Sequence, residues 1–178
     1  SIIVSIMLSK QVLKTEISVT TVDDVAFFLC ENTSKTVAVC NANTLVRAYR
    51  NLEIKQLIDS FDVKTPDGFP VAKSLKILMK KKQKRVDGFN LFHKTIKHGL
   101  EKNISHYFFG NNEQIVFSMI NKLKDLYPDI NIAGFYCPPL IATERLTDNE
   151  YIKDLLKKDP DIIWVSLGFP KQENFIYN

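Results

Sequence analysis

Glycine is scarce in this chain. Its 178 residues hold six, Gly68, Gly88, Gly99, Gly110, Gly134 and Gly168, and no two lie within ten positions of each other. A loop that wraps phosphates in backbone N–H groups needs glycines close together, because only they allow the tight turns and close approach. G-x-G-x-x-G, the P-loop pattern and G-x-S-x-G are all missing, and with them the main sequence support for a dinucleotide dehydrogenase, a P-loop NTPase or an α/β-hydrolase. Cysteine is scarce too: Cys30, Cys40 and Cys137 form an odd, scattered set without a C-x-x-C pair. That reads as reduced core thiols of a cytosolic protein rather than a disulfide framework or a zinc site. Of the three histidines, His93 and His98 are five apart and do not share a helix face as an i, i+4 ligand pair would, and His106 falls on a strand. Asp159-Pro160-Asp161 has a spacing that can hold a divalent ion beside a nucleotide diphosphate, but it precedes its strand and reads as a helix-to-strand turn. No apolar run approaches the roughly 20 residues of a membrane span. Ile2–Met7 is too short, and lacks the basic flank and cleavage site of a signal peptide.

What is present is an ordinary globular composition, 45% hydrophobic and 25% charged, at a length that suits one domain, residues 1–178. The net charge of +4 is local in origin. Lys73, Lys76, Lys80, Lys81, Lys82, Lys84 and Arg85 follow one another without an acid among them, and the remainder of the chain is net acidic. This is not the diffuse basicity of a nucleic-acid binder, and no nucleic acid is expected as a partner. Most of the run reads as a solvated helix end and loop; the sharper alternative is a patch facing anionic lipid or phosphates.

The hydrophobic pattern alternates strand and helix. Ser9–Ser18 reads as a short strand pair, and Thr21 with Asp24 as a capping box opening a helix. Strands are expected at Thr36–Cys40, Asp62–Lys64, Ile104–Phe109, Asn131–Tyr136 and Ile162–Leu167, with amphipathic helices between them. Asn111 with Gln114, and Thr147 with Glu150, have capping-box spacing; Phe89, Phe92, Ile96 and Leu100 suggest the inward face of a helix over 89–102. Strands without polar alternation, separated by such helices, predict an α/β, Rossmann-like fold with a mostly parallel sheet and helices on both faces. Ligands of such sheets sit outside the carboxyl ends of the strands. Those ends carry Cys40-Asn41, Thr65-Pro66-Asp67-Gly68, Gly110-Asn111 and Gly168-Phe169-Pro170-Lys171-Gln172-Glu173. Asp67 has two readings here, a turn or N-cap residue and an acid placed for chemistry; Asn41, Arg85, Gln172 and Glu173 have equally plain alternatives as a cap, the end of a basic run and first-turn residues.

The ordered motifs Val39-Cys40-Asn41-Ala42-Asn43, Thr65-Pro66-Asp67-Gly68, Arg85-Val86-Asp87-Gly88-Phe89-Asn90-Leu91, Phe108-Phe109-Gly110, Tyr127-Pro128, Gly134-Phe135-Tyr136-Cys137-Pro138-Pro139 and Val165-Ser166-Leu167-Gly168-Phe169-Pro170-Lys171-Gln172-Glu173 span nearly the whole chain. Together they resemble the WecG/TagA/CpsF glycosyltransferases, glycosyltransferase family 26. The resemblance implies a Rossmann-like, inverting, metal-independent enzyme without a cofactor. It would move an N-acetylhexosamine-type sugar, such as N-acetylmannosamine or its uronic acid, from a UDP-sugar to a polyprenyl-diphosphate-linked saccharide. The product would be a bacterial surface polymer: teichoic acid, capsule or exopolysaccharide. Asp67 matches the family's proposed base. Asn41, Arg85, Gly110, Asn111, Gln172 and Glu173 fall where the UDP donor would bind, and Asn43, Gly68 and Asn90 where substrate would be oriented. The chain departs from the family pattern at Val39, Asn43, Asp87 and Asn90, which bears on the sugar rather than the fold. The resemblance also implies a C-terminal membrane-contacting segment beyond the last motif here, a cytoplasmic protein peripheral at the inner face of the membrane, and a tendency to self-associate; the lysine run is expected to help hold the protein at that anionic surface. Two alternatives stand beside it: a non-catalytic UDP-sugar-binding relative, and another α/β nucleotide enzyme.

Overall fold

The structure, a computed structural model, describes residues 7–178, and the apolar stretch before Met7 lies outside them. The chain divides into two compact units, one running to Phe28 and resuming over Ser34–Lys94, the other made of Leu29–Thr33 and Thr95–Asn178.

In the first unit, β1 (Ser9–Val12) and β2 (Thr15–Ser18) form an antiparallel hairpin. Its two turn residues, Leu13 and Lys14, both adopt positive φ, as a two-residue hairpin turn requires. Helix α1 (Val22–Glu31) opens on the expected capping box: the Asp24 N–H donates to the Thr21 hydroxyl, which in turn donates to the Asp24 carboxylate at 2.8 Å. Next come β3 (Val37–Cys40), α2 (Ala42–Arg50), α3 (Leu52–Asp59), β4 (Val63–Pro66) and α4 (Phe69–Met79). Strands β3 and β4 pair in parallel, with Cys40 opposite Pro66, so both carboxyl ends finish level. Helix α4 buries Val71, Ala72 and Leu75, which share one face at i, i+1 and i+4. Full burial of one such aliphatic side chain stabilises the fold by about 2 kcal/mol.

Helix α5 (Gly88–Gly99) spans the boundary between the units. Its buried positions are Leu91, Thr95, Ile96 and Gly99; of the expected face Ile96 is buried, whereas Phe89 is 72% exposed. The inward stripe is therefore rotated from the one expected, because Phe89 sits two residues, about 200° of helix rotation, from Leu91. In the second unit, a 3-10 turn over Leu100–Lys102 leads to β5 (Ser105–Gly110), α6 (Glu113–Leu126), β6 (Asn131–Tyr136), a further 3-10 turn over Thr143–Thr147, α7 (Asn149–Lys158), β7 (Ile162–Ser166) and α8 (Lys171–Tyr177). The strands lie in the order β6-β5-β7, all parallel. Tyr107, Phe109, Leu146, Leu155 and Phe175 form the core, with the rings of Phe109 and Phe175 stacked 4.2 Å apart.

The α/β class and the parallel strands agree with a Rossmann-like fold. Two expected caps are displaced. Asn112, not Asn111, caps α6 through the Ile115 N–H, because Asn111 is in the left-handed region and still belongs to the turn. Thr147 belongs to the 3-10 turn, where its hydroxyl donates to the Glu144 carbonyl, and Asp148 takes the cap position of α7. The Asp159-Pro160-Asp161 stretch is the turn it resembled: the Asp161 carboxylate accepts both the N–H and the hydroxyl of Ser105, tying the starts of β5 and β7 together. The three cysteines are free thiols, Cys30 and Cys40 buried and Cys137 half-buried. His106 is a core histidine: its Nδ1 accepts the Trp164 indole N–H at 3.1 Å, and burial pulls its pKa down to about 4, so it is neutral at pH 7.

Candidate active site

In the first unit the candidate residues gather where β3 and β4 end. Asn41 follows β3 and caps α2; its carboxamide oxygen accepts the N–H of Thr44 at 3.0 Å and the Thr44 hydroxyl at 3.3 Å. Asn43 is exposed in the first turn of the same helix. Asp67 follows β4, and its backbone N–H reaches the carbonyls of Cys40 and Thr65, each at 3.0 Å. The bond to Cys40 extends the β3–β4 ladder by one residue and holds Asp67 against the strand end that leads into Asn41, while the bond to Thr65 turns the chain at the end of β4. Asp67 is not the cap of α4. Gly68 takes that position at φ 79°, ψ 158°, a backbone conformation that glycine adopts without steric cost, and Pro70 follows in the first turn. The Asp67 carboxylate is thus left half-buried one residue outside the helix, accepting the Gly68 N–H.

A second segment brings charge to this point. Helix α4 ends at Lys80 in the left-handed region. Gln83 then anchors the chain, its amide donating at 2.7 Å to the carbonyls of Thr20 and Lys84. Val86 is fully buried, with its N–H on the Pro66 carbonyl at 2.9 Å and its own carbonyl accepting the Thr65 hydroxyl at 3.0 Å. Those two bonds dock the segment on β4 just before Asp67. Arg85 and Asp87 flank the plug on either side. The Arg85 guanidinium lies 3.5 Å from the Asp87 carboxylate, which also accepts the backbone N–H and the side-chain amide of Asn90 at 3.0 and 2.7 Å.

The electrostatic outcome is a pair of carboxylates driven in opposite directions. Burial, opposed by the Gly68 N–H and Arg85 and reinforced by the negative charge of Asp87, raises the pKa of Asp67 above the ordinary 3.8. Burial also acts to raise Asp87, but the two bonds from Asn90 and the Arg85 charge outweigh it and hold the group below 3.8. Asp87 is therefore the more acidic and Asp67 the more basic of the two carboxylates. Sequence reasoning treated Asp87 only as a departure from a pattern. Its spacing to Asn90, three residues across a helix start, was the signal for a capping carboxylate, but its proximity to Asp67 depends on how Val86 docks.

The second unit holds the other candidates at the carboxyl ends of β5 and β7. Gly110 pairs with Ser166 and adopts φ +113°; a Cβ there would stand 2.2 Å from the Ser166 carbonyl oxygen. Only glycine fits so close an approach of two backbones. The Asn111 N–H then donates to the same carbonyl at 3.0 Å. Beyond β7, the Gln172 N–H reaches the Gly168 carbonyl, and the Gln172 amide donates to Oε1 of Glu173 at 3.0 Å. Glu173 is 3% exposed, its Oε2 has no hydrogen-bond partner among the described residues, and burial raises its pKa. The structure thus brings Asn41, Asp67, Gly68, Arg85 and Asn90 to neighbouring strand ends of one unit, and Gly110, Asn111, Gln172 and Glu173 to those of the other.

The carboxyl ends of parallel strands are where α/β chains place their ligand sites. The chain belongs to the glycosyl transferase WecG/TagA/CpsF family, which matches residues 10–178. It is 27% identical over 150 residues to an N-acetylglucosaminyldiphosphoundecaprenol N-acetyl-beta-D-mannosaminyltransferase of Bacillus spizizenii strain W23, covering 84% of this chain and 56% of that protein. It is similar to the proteins of the same name from Bacillus subtilis strain 168, at 24% over 142 residues with 80% and 54% covered, and from Staphylococcus aureus strain NCTC 8325, at 24% over 157 residues with 87% and 60% covered. The chain therefore spans between half and two thirds of the length of these relatives.

Proposed function

We propose that this chain carries the catalytic domain of an inverting glycosyltransferase. It moves an N-acetylhexosamine, with N-acetylmannosamine the first choice, from a UDP-sugar to a polyprenyl-diphosphate-linked N-acetylglucosamine in bacterial surface polysaccharide synthesis. The donor and acceptor classes come from the relatives' names and the family resemblance. The observation that carries the chemistry is Asp67, half-buried beside an ionised Asp87 and with its pKa raised.

In this reading the acceptor hydroxyl attacks the anomeric carbon of the donor from the face opposite the diphosphate. The new C–O bond forms as the bond to the diphosphate oxygen breaks, so the configuration inverts. Asp67 takes the hydroxyl proton; the electron pair leaves with UDP. A base more basic than an ordinary aspartate draws that proton more strongly, and correct placement of such a group is worth about 10²–10⁴ in rate. Arg85, exposed and only loosely paired with Asp87 at 3.5 Å, offers a planar guanidinium to the leaving phosphates. Gln172 and the first turn of α6, to which Gly110 and Asn111 lead, offer neutral donors for the nucleotide, Glu173 orients the Gln172 amide, and Asn41, Asn43, Gly68 and Asn90 shape the substrate side. With the charge met this way the reaction needs no metal ion; turnover that persists unchanged in a chelator supports this, and loss of turnover restored by a divalent cation overturns it.

No helix among the described residues is long and apolar enough to cross a membrane. We propose peripheral attachment to an anionic cytoplasmic membrane face through Lys80, Lys81 and Lys82, and self-association there. Sedimentation with vesicles that does not depend on acidic lipid would remove the first idea, and a monomer at micromolar concentration the second. The central test is Asp67→Asn assayed with UDP-N-acetylmannosamine and a synthetic lipid-diphosphate N-acetylglucosamine. Turnover should collapse while UDP affinity holds; a fully active variant would reject Asp67 as the base.

A further inference from the structure

The basic run is exposed throughout, but part of it gathers around a concavity. Lys73 and Lys76 from α4, with Lys84 and Arg85 from the segment after it, line a cleft of about 510 Å³ within the first unit. Phe69 and Ala72 also line it, and Phe69 is 72% exposed at its edge. The one carboxylate in the lining, Asp87, is already engaged by Asn90 and Arg85. Among the described residues, Lys73, Lys76 and Lys84 have no carboxylate within ion-pair distance, and the Lys73 ammonium instead lies 5.5 Å over the Phe69 ring. Three ammonium groups gathered in one concavity without counter-charge repel each other. An anion of two or more charges relieves that repulsion and is bound in return.

We infer that this cleft is the subsite for the diphosphate of the lipid-linked acceptor, which Lys73, Lys76 and Lys84 bind while Phe69 packs against the first carbons of the prenyl chain. The inference rests on the glycosyltransferase reading above. Distance along α4 favours acceptor over donor. Counted from Phe69, the first residue of the helix, the rise puts Lys73 and Lys76 about 6 and about 10 Å further along the axis than the Asp67–Gly68 turn that opens it. A base at the helix start and cations one to two turns further on leave room for one hexose ring, whose reacting hydroxyl faces the base while its anomeric diphosphate reaches the lysines. The donor diphosphate has the opposite requirement, since its bond to the sugar breaks next to the incoming hydroxyl. Arg85, docked beside Asp67 through Val86, suits that position. The volume also suits a sugar diphosphate, falling in the range of ordinary small-ligand sites, about 300–1,000 Å³. Phe69, exposed in the same lining, gives the apolar end of the ligand a contact that a free phosphate would not use.

The test compares the full chain with Lys73→Ala/Lys76→Ala and with Lys84→Ala, after thermal unfolding has shown that the variants fold. Binding of UDP and of a short-chain prenyl-diphosphate N-acetylglucosamine is measured separately by calorimetry, with inorganic pyrophosphate and with acidic vesicles as further arms. The double variant should weaken the prenyl-diphosphate sugar by about tenfold or more while UDP affinity stays within about twofold. Pyrophosphate should compete with the sugar lipid but not with UDP. If the variants lose UDP instead, the cleft belongs to the donor and the inference falls. If they lose only vesicle binding, the lysines serve a lipid surface and it falls as well. Unaltered binding of the prenyl-diphosphate sugar overturns the subsite alone, whereas a wild-type chain that binds neither UDP nor the prenyl-diphosphate sugar overturns the glycosyltransferase reading itself.

Discussion

The two units end their parallel strands in different ways. Where β3 and β4 stop, the chain supplies ionisable groups: Asp67 raised, Asp87 held ionised, Arg85 exposed between them in sequence. Where β5 and β7 stop, it supplies backbone geometry: Gly110 at φ +113° pressed on Ser166, Asn111 and Gly168 at positive φ, and one buried acid, Glu173, whose second oxygen is unpartnered. The first arrangement can move a proton and meet developing charge. The second can bring its backbone close to a ligand, with the exposed Glu113 following in the first turn of α6. In the proposed reading, the same strand-to-helix junction serves chemistry in one place and close approach in the other, and the side chains at the turn decide which.

That contrast can be tested from both sides. The largest effect is expected from Asp67→Asn, which should lower turnover by about 10²–10⁴ with UDP affinity and thermal stability retained, as read by steady-state kinetics and calorimetry. Gly110→Ala should act through the fold instead. Its Cβ would stand 2.2 Å from a backbone oxygen in a left-handed conformation, and a loss of about 3 kcal/mol or more in urea unfolding is expected. If Gly110→Ala folded normally, the close approach at β5 would not be needed. Arg85→Lys keeps the charge but loses the planar fork, and turnover should fall about tenfold with little change in stability.

Two smaller effects concern pH. The rate should fall as pH drops through a value above 3.8, since Asp67 must be ionised to accept a proton. In Asp87→Asn the neighbouring negative charge is gone while the bond to Asn90 can persist, so this acid limb should move to lower pH; an unmoved limb would separate Asp87 from Asp67. Glu173 has a raised folded-state pKa, so its contribution to stability is fully present below the ordinary 4.5 and is lost as pH rises through the folded value. Glu173→Gln should therefore be less destabilised than the wild type as pH climbs from about 4 toward neutrality, measured by unfolding across that range.

Much of the fold was legible because period and capping are local. The Thr21–Asp24 box and the strand Asn131–Tyr136 both follow from local pattern alone. Phe89 was misread because a helix with aromatics on two faces has no unique inward stripe, and packing chose Leu91, Thr95 and Ile96. The caps at Asn112 and Asp148 slipped by one residue because Asn111 and Thr147 were drawn into preceding turns. Lys73, Lys76 and Lys84 looked like ordinary solvated charge; only the return of the chain after α4 folds them around one cleft.

By itself, the order of residues determined the α/β class, the strand-end motifs and the absence of clustered glycines, because each depends on neighbours a few positions apart. Tertiary structure alone decided that Gly68 rather than Asp67 caps α4, and that Val86 docks on Pro66 so that Arg85 and Asp87 act on the Asp67 carboxylate. The strength of that acid depends on burial and on charges some twenty residues away, and those are properties of a folded surface rather than of any local stretch of chain.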